Sequence, residues 1–141
     1  MGSLRTKSRE FAMQMLFQWD MSQQDAKKLE VKFWRSAKAA EGTRAFANKL
    51  FEGAVEEAST LDELITKHAD NWRFERLSSI DRAILRLGIY ELLFAATPGK
   101  VVLNEAVDLA KKFSSEEASG FVNGILDAVH NSLKNKSLKI L

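Results

Sequence analysis

The stretch "IDRAILRLGIYELLF", residues 80–94, has apolar residues on nearly every side of a predicted helix. At about 100° per residue, Ile80, Ile84 and Leu87 share one face. Four further aliphatic residues cover most of the remaining surface: Leu85, Ile89, Leu92 and Leu93. Because a helix that is apolar nearly all round is normally buried, we expect this helix to be the central strut of the fold.

The rest of the sequence also favours helices. It contains one proline, Pro98, and no sustained alternation of β-branched and polar residues. With 45% hydrophobic residues, a chain of 141 can bury a substantial core. We therefore expect one domain, residues 1–141, folded as a compact all-α bundle of about seven helices. Capping signals mark three helix starts: Thr60 with Glu63 for the fourth helix, Ser78 with Asp81 for the fifth, and Ser114 with Glu117 for the seventh.

The sequence offers little chemistry for catalysis or metal binding. It has no cysteine, and neither histidine has a second ligand at a metal-binding spacing. The scattered glycines match no phosphate-binding fingerprint. Glu91 shares the face of Ile84, and we interpret it as a structural carboxylate that accepts hydrogen bonds from an arginine or from helix amides. We expect no enzymatic activity, cofactor, metal or small-molecule substrate. No apolar run reaches the roughly 18 residues of a membrane span, so we expect a cytoplasmic protein without membrane contact.

Positive charge is concentrated in the first third of the chain. Residues 1–49 contain ten Lys/Arg against five Asp/Glu, a net charge of +5, whereas residues 50–141 contain eleven against fourteen, a net of −3. A basic cluster opens the first helix, and two lysines on the sixth helix are available to extend it: Arg5, Lys7, Arg9, Lys111 and Lys112. Such groups attract phosphate without sequence preference. The pattern indicates a polyanionic partner.

The last two helices carry features that packing alone does not require. Phe121 lies at the edge of the apolar stripe of the seventh helix, between Gly120 and Gly124. The ring could stack on an unpaired RNA base, or the glycines could permit close approach of another helix. Asn104 and Glu105 are expected in the first turn of the sixth helix, where they would either satisfy free backbone amides or contact a partner. The residues leave these alternatives open.

Three segments, in this order and spacing, closely resemble the NusB family of bacterial transcription antitermination factors: "NWRFERLSSIDRAILRLGIYELLF" (71–94), "VVLNEAVDLAKKFS" (101–114) and "FVNGILD" (121–127). The segment "SREFAMQMLFQWD" (8–20) resembles the family's opening helix. The resemblance implies an all-helical RNA-binding factor without enzymatic activity. It would pair with NusE, a ribosomal small-subunit protein, and bind the single-stranded boxA element of nascent ribosomal RNA. Together with other Nus factors it would help the RNA polymerase elongation complex to resist termination.

The resemblance, together with the basic pattern, also assigns residues. Those expected to face RNA are Arg5, Lys7, Arg9, Lys111, Lys112, Glu117, Phe121 and Asn123. Those expected to contact the protein partner are Phe17, Asp81, Arg82, Arg86 and Asn104. Phe17 stands where the family commonly has tyrosine, so this chain has no hydroxyl group to bond there.

Two other interpretations remain at this point. The chain could be a protein-binding helical adaptor that uses a second stripe on the first helix, formed by Met13 and Phe17. A related domain also occurs attached to ribosomal RNA cytosine methyltransferases, so the chain could be the isolated RNA-binding domain of such an enzyme. Salt-dependent binding of single-stranded RNA would separate an RNA factor from an adaptor.

Overall fold

The computed structural model of the chain describes residues 3–69 and 74–135. These residues form seven α-helices, one short 3-10 turn and no strand. The helices are α1 (Ser3–Ser22), α2 (Ala26–Ser36), α3 (Glu41–Glu56), α4 (Ala58–His68), α5 (Ser79–Phe94), α6 (Gly99–Phe113) and α7 (Glu116–Lys134), and the turn Phe74–Arg76 precedes α5. The predicted all-α bundle of about seven helices is confirmed. Residues 71–73, which open one of the family-like segments, lie outside the described residues.

Helix α5 is the central strut that its apolar pattern predicts. It packs against α1, α3, α4, α6 and α7. Ile84, Leu85 and Ile89 are completely buried. A Cβ atom on Gly88 would come within 2.8 Å of Leu126 Cδ1, so the glycine lets α7 approach α5 closely. The two helices therefore form a tightly packed pair at the centre of the bundle.

Helix α1 is buried on more than one side because it packs against both α3 and α5. Five apolar residues between positions 11 and 16 belong to the core: Phe11, Ala12, Met13, Met15 and Leu16. The expected second stripe on this helix is thus not a surface. Met13 is completely buried, and Phe17 is half-buried and packs against the core. This position of Met13 removes the surface on which the adaptor interpretation depended.

Two capping predictions concern α5 and α7. Ser78 caps α5 as expected, since its Oγ atom accepts a hydrogen bond from the backbone N–H of Asp81 at 3.0 Å. Helix α7 is capped by Ser115, whose Oγ atom accepts from the backbone N–H of Ala118 at 2.9 Å. The prediction of Ser114 is wrong by one residue, because Ser114 ends α6 instead.

The predicted start of α4 at Thr60 is also wrong. The helix begins at Ala58, directly after Glu57, and no side chain caps it. Glu57 ends α3 and starts α4, with its own N–H bonded to the carbonyl oxygen of Gly53. Since the chain passes from one helix to the next through a single residue, there is no separate capping turn for Thr60 to close.

Candidate nucleic-acid interface

Arg9, which was predicted to face RNA, lies inside the bundle and is only 5% exposed. Its Nε atom donates to Glu91 Oε2 at 2.6 Å and its Nη2 atom donates to Glu91 Oε1 at 2.9 Å. Its Nη1 atom donates to Glu105 Oε1 at 3.3 Å. This side chain is already committed to two carboxylates and shielded from solvent. The structure therefore corrects the prediction: Arg9 joins α1 to α5 and α6.

The carboxylates around Arg9 are satisfied from several elements. Glu91 is 1% exposed and also accepts a hydrogen bond from Thr97 Oγ1 at 2.9 Å. Glu105 accepts one from Thr6 Oγ1 at 3.1 Å. Burial alone would lower the pKa of Arg9, but the hydrogen bonds and negative charges of Glu91 and Glu105 raise it above its ordinary value. The structural interpretation of Glu91 is confirmed, and an arginine is its partner.

Asn104 and Glu105 do not occupy the first turn of α6, because the helix begins at Gly99. They lie in its second turn, where no free backbone amide needs a cap. Glu105 instead pairs with Arg9 and Thr6, while Asn104 is exposed. The capping explanation of this pair is therefore wrong.

Two of the predicted RNA contacts, Lys7 and Lys112, are brought together by one carboxylate. Lys7 Nζ lies 3.5 Å from Glu10 Oε1, and Lys112 Nζ lies 2.8 Å from Glu10 Oε2. The lysine side chains are 56% and 59% exposed, whereas that of Glu10 is 11% exposed. The start of α1 and the end of α6 thus present two cations on one surface. Glu10 fixes their spacing without covering them.

Arg5 extends this basic surface along α1, whereas Lys111 lies near Glu116 at the start of α7. The guanidinium carbon of Arg5 lies 3.8 Å from the ring centroid of Phe46 on α3, and the Arg5 side chain is exposed. Stacking of this kind orients a planar guanidinium group. Lys111 Nζ lies 3.8 Å from Glu116 Oε2, both side chains being about half exposed or more. We call Arg5, Lys7 and Lys112 the α1–α6 basic surface.

The predicted α7 contacts form an open surface beside the core. Glu117 and Asn123 are exposed, and Phe121 is half-buried with its ring packed against the core. A Cβ atom on Gly120 or Gly124 would meet no atom within 4 Å among the described residues. Within that part of the chain the glycines do not mediate helix packing. Neither glycine has a side chain that could cover the helix surface beside Phe121.

The predicted protein-partner residues on α5 lie where α5 begins and α1 ends. Arg82 Nη2 lies 2.9 Å from Asp20 Oδ2, and both side chains are largely buried. Arg86 is 4% exposed and donates to both oxygens of Asp62 at 2.7 and 2.9 Å. Burial alone would lower the pKa of Arg86, but Asp62 and Asp20 raise it above its ordinary value. Arg86 is therefore a structural group and not the exposed contact that was predicted.

Asn104 is separated from the other predicted partner contacts. Its neighbour Glu105 bonds to Thr6 near the start of α1, whereas Arg82 bonds to Asp20 near the end of the same helix. Fourteen residues of α-helix span about 21 Å. The five predicted partner residues therefore do not form one surface, and Asn104 lies on the side of the α1–α6 basic surface.

Sequence reasoning overlooked the surface between α2 and α3. A cleft there is lined by two arginines and a tryptophan, with a buried glutamate. The excess of basic residues before residue 50 was the available signal, since seven of those ten cations come after α1: Lys27, Lys28, Lys32, Arg35, Lys38, Arg44 and Lys49.

The described residues contain no group of three or more His, Cys, Asp or Glu side chains placed to hold a metal ion. None of the helices in that part of the chain is long and apolar enough to cross a membrane.

Comparison with known proteins identifies relatives over nearly the whole chain. The family model for the NusB family matches residues 6–131. The transcription antitermination protein NusB of Koribacter versatilis (strain Ellin345) is 47% identical over 131 residues, which cover 92% of this chain and 90% of that protein. The protein of the same name from a Nitratiruptor species is 41% identical over 135 residues, covering 96% and 97%.

Solved structures share the fold. A crystal structure of antitermination factors NusB and NusE in complex with double-stranded RNA contains a chain that superimposes with a TM-score of 0.84 at 32% identity, covering 94% of this chain and 99% of that one. NusB from T. maritima superimposes with a TM-score of 0.84 at 30% identity, covering 98% and 100%. Sequence and fold agree over more than nine-tenths of the chain, and the chain belongs to the NusB family.

Proposed function

We propose that this chain is a transcription antitermination factor that binds boxA-type RNA of nascent ribosomal transcripts together with NusE. The observation that carries the proposal is the match to curated NusB antitermination proteins over more than nine-tenths of the chain. The similar structure that contains NusB, NusE and RNA supports both partners. The adaptor and methyltransferase interpretations have no comparable support.

The α1–α6 basic surface supplies the electrostatic part of RNA binding. Lys7 and Lys112 are held by Glu10 but remain more than half exposed, and Arg5 is oriented by Phe46. Cations that contact phosphate release counterions from the RNA, so affinity falls as the salt concentration rises. Phe121, which lies between two glycines without side chains, supplies an aromatic ring edge on which an unpaired base stacks.

The NusE contact lies at the other end of α1. Met21 is 62% exposed there, and Ser79 Oγ lies 3.1 Å from its sulfur atom. Asp81 and Arg82 stand beside it at the start of α5. An exposed methionine next to charged groups suits a protein partner, because apolar anchors surrounded by polar residues are typical of interfaces. The buried Arg86 stabilises this region through its ion pairs with Asp62 and Asp20.

The protein acts by binding and not by catalysis. In this proposal its complex with NusE and RNA joins the RNA polymerase elongation complex with other Nus factors in the bacterial cytoplasm. Separate positions for RNA and NusE at the two ends of α1 allow both partners to be held at once. That arrangement explains how a chain of 141 residues can link a transcript to a ribosomal protein.

The test is a fluorescence anisotropy titration with labelled boxA-type single-stranded RNA and a scrambled RNA of the same composition. We expect tighter binding of the boxA sequence, a further increase in affinity with NusE, and weaker binding at higher salt. Equal affinity for both RNAs with and without NusE would overturn the proposal.

Arg82→Gln separates the two partners. It removes a charge that pairs with Asp20 beside the proposed NusE contact, so the increase in RNA affinity that NusE causes should shrink. Binding of RNA alone should be unchanged, because Asp20, the partner of Arg82, lies about 21 Å along α1 from Thr6 beside the basic surface. Loss of RNA binding without NusE would contradict this division of the surface.

A further inference from the structure

Helices α2 and α3 border an open surface cleft of about 350 Å³, within the usual size of a small-ligand site. It is lined by Glu30, Val31, Trp34, Arg35, Arg44 and Asn48. None of these residues belongs to the α1–α6 basic surface or to the proposed NusE contact. The cleft combines a flat ring, two cations, an amide and a carboxyl group.

Trp34 holds its ring in a fixed orientation at this cleft. Its Nε1 atom donates to Asn48 Oδ1 at 2.7 Å. Phe11 and Phe33 pack edge-on against it, with ring centroids 5.1 and 4.9 Å away. The guanidinium carbon of Arg44 lies 5.4 Å from the Trp34 ring centroid. A half-buried indole anchored in this way is preorganised for stacking, because little rotamer entropy remains to be lost.

The positive charge around the cleft favours an anionic ligand. Arg35 and Arg44 line it and are exposed. Three further exposed lysines lie on α2: Lys27, Lys28 and Lys32. Arginine suits phosphate because its planar fork donates two parallel hydrogen bonds. An aromatic ring beside arginines is a combination found where proteins hold single-stranded nucleic acid.

Glu30 provides a buried polar group in the cleft. It is 6% exposed, and its Oε2 atom has no hydrogen-bond partner among the described residues. Its Oε1 atom lies 3.6 Å from Lys27 Nζ, which also lies 3.0 Å from Glu52 Oε2. Burial, together with the neighbouring Glu52, raises the pKa of Glu30 to about 7. Near neutral pH this carboxyl is therefore often uncharged, so it repels phosphate little and can either donate or accept a hydrogen bond.

The cleft continues the α1–α6 basic surface. Lys7 Nζ lies 5.2 Å from the ring centroid of Phe11, and that centroid lies 5.1 Å from the ring centroid of Trp34. Only one aromatic ring thus separates a predicted phosphate contact from the stacking ring of the cleft. These two distances place the cleft within the reach of an RNA strand that lies on the basic surface.

We propose that this cleft is a second RNA subsite that binds one nucleotide of the strand held by the α1–α6 basic surface. Its base stacks on Trp34, Arg35 and Arg44 contact its phosphates, and Glu30 or the Asn48 amide bonds to the base edge. This inference rests on the proposed RNA-binding function. It adds a nucleotide beyond those that α1, α6 and α7 would hold.

The experiment compares Arg44→Gln, Trp34→Leu and Trp34→Phe with the parent chain in titrations with boxA-type single-stranded RNA. Lys49→Gln is the matched control, since Lys49 is exposed on the same helix and does not line the cleft. Arg44→Gln and Trp34→Leu should each weaken RNA binding by about fivefold or more. Trp34→Phe, which keeps a ring, should lose less than Trp34→Leu, and Lys49→Gln should stay within about twofold of the parent.

Thermal melting controls for folding. Arg44→Gln should melt like the parent because Arg44 is exposed, so its RNA affinity remains informative if Trp34→Leu unfolds. If the parent binds RNA and Arg44→Gln and Trp34→Phe bind it equally well, the subsite is wrong while the proposed function stands. If Arg44→Gln weakens NusE binding and not RNA binding, the cleft is a protein contact and the inference is overturned. If the parent binds no RNA with NusE present, the proposed function fails together with the subsite.

Discussion

Arg5 and Arg9 lie one turn apart on α1 and carry the same charge, but their environments are opposite. Arg5 is exposed and stacks on Phe46. Arg9 is 5% exposed and donates to Glu91 and Glu105 from α5 and α6. The difference arises from what faces each residue across the bundle. A run of basic residues therefore cannot be interpreted as one surface, since a single turn of helix separates an exposed guanidinium group from a structural ion pair.

The same contrast applies to the two arginines of α5. Arg82 and Arg86 also lie one turn apart, and both pair with Asp20. Arg82 remains partly exposed at the proposed NusE contact, whereas Arg86 is buried and binds both oxygens of Asp62. In both pairs the residue nearer the start of its helix is the more exposed of the two. The residue one turn further along holds the bundle together.

The largest effect that we expect is from Arg9→Ala. Removing one partner of a buried ion pair leaves a buried charge uncompensated, so the free energy of unfolding should fall by about 3 to 5 kcal/mol. Arg5→Ala should cost about 1 kcal/mol or less, because it removes only an exposed cation–π contact. Urea unfolding of both variants measures the difference. Equal losses would show that Arg9 is no more structural than Arg5.

Phe121→Ala should affect RNA more than stability. Loss of base stacking should weaken RNA binding by about 1 to 3 kcal/mol. The stability loss should be smaller than that of Ile125→Ala, which empties a buried position and should cost about 2 to 5 kcal/mol. RNA titration and thermal melting of the two variants test this. If Phe121→Ala is destabilised as much as Ile125→Ala but binds RNA normally, Phe121 is a core residue and not an RNA contact.

Gly120→Leu is the complementary change at the same surface. A Cβ atom there meets no atom within 4 Å among the described residues other than its own chain neighbours and helix backbone, so the fold should tolerate the change. The added leucine should cover the ring of Phe121 and reduce RNA affinity. NusE binding measured without RNA should be unchanged for this variant, and a reduced NusE affinity would place the protein contact on α7.

The smallest effect that we expect is the pH dependence caused by Glu30. Its pKa is raised to about 7 in the folded chain, so between about pH 4.5 and 7 the folded state binds more protons than the unfolded state. Stability should therefore fall as pH rises through this range. The lowered pKa of Glu52, caused by its hydrogen bond with Glu30 despite burial, opposes this trend. Glu30→Gln removes this titrating group, so the free energy of unfolding at pH 8 should rise relative to that at pH 5. Urea unfolding of the parent and the variant at both pH values measures the change.

The fold could be predicted from local patterns because its signals are local. The apolar faces of α5, α6 and α7 come from helical spacing, and the cap of α5 by Ser78 comes from a three-residue motif. The errors arose where two helices share a boundary, as at Glu57, or where adjacent serines compete to cap, as at Ser114 and Ser115. At such positions the local sequence is compatible with more than one first residue of the helix.

The site could be predicted only in part, because the burial of a side chain depends on contacts between residues far apart in the sequence. The bonds of Arg9 to Glu91 and Glu105 connect residues 82 and 96 positions apart. No spacing rule relates them, although the apolar face of Glu91 predicted that an arginine or helix amides would donate hydrogen bonds to it. The cleft at Trp34 likewise depends on α2 and α3 meeting, and Trp34 bonds to Asn48 across that junction. Only the excess of positive charge before residue 50 marked this region in the sequence.

The most direct test of the account is the slope of log Kd against log salt concentration for single-stranded boxA-type RNA. The triple variant Arg5→Gln, Lys7→Gln, Lys112→Gln should lower the magnitude of this slope by about 2, because each phosphate that is no longer neutralised removes roughly 0.7 from it. The control triple Lys49→Gln, Lys67→Gln, Lys134→Gln removes the same charge from other exposed positions and should leave the slope nearly unchanged. Equal slopes for the parent and the first triple variant would contradict an RNA site on the α1–α6 basic surface.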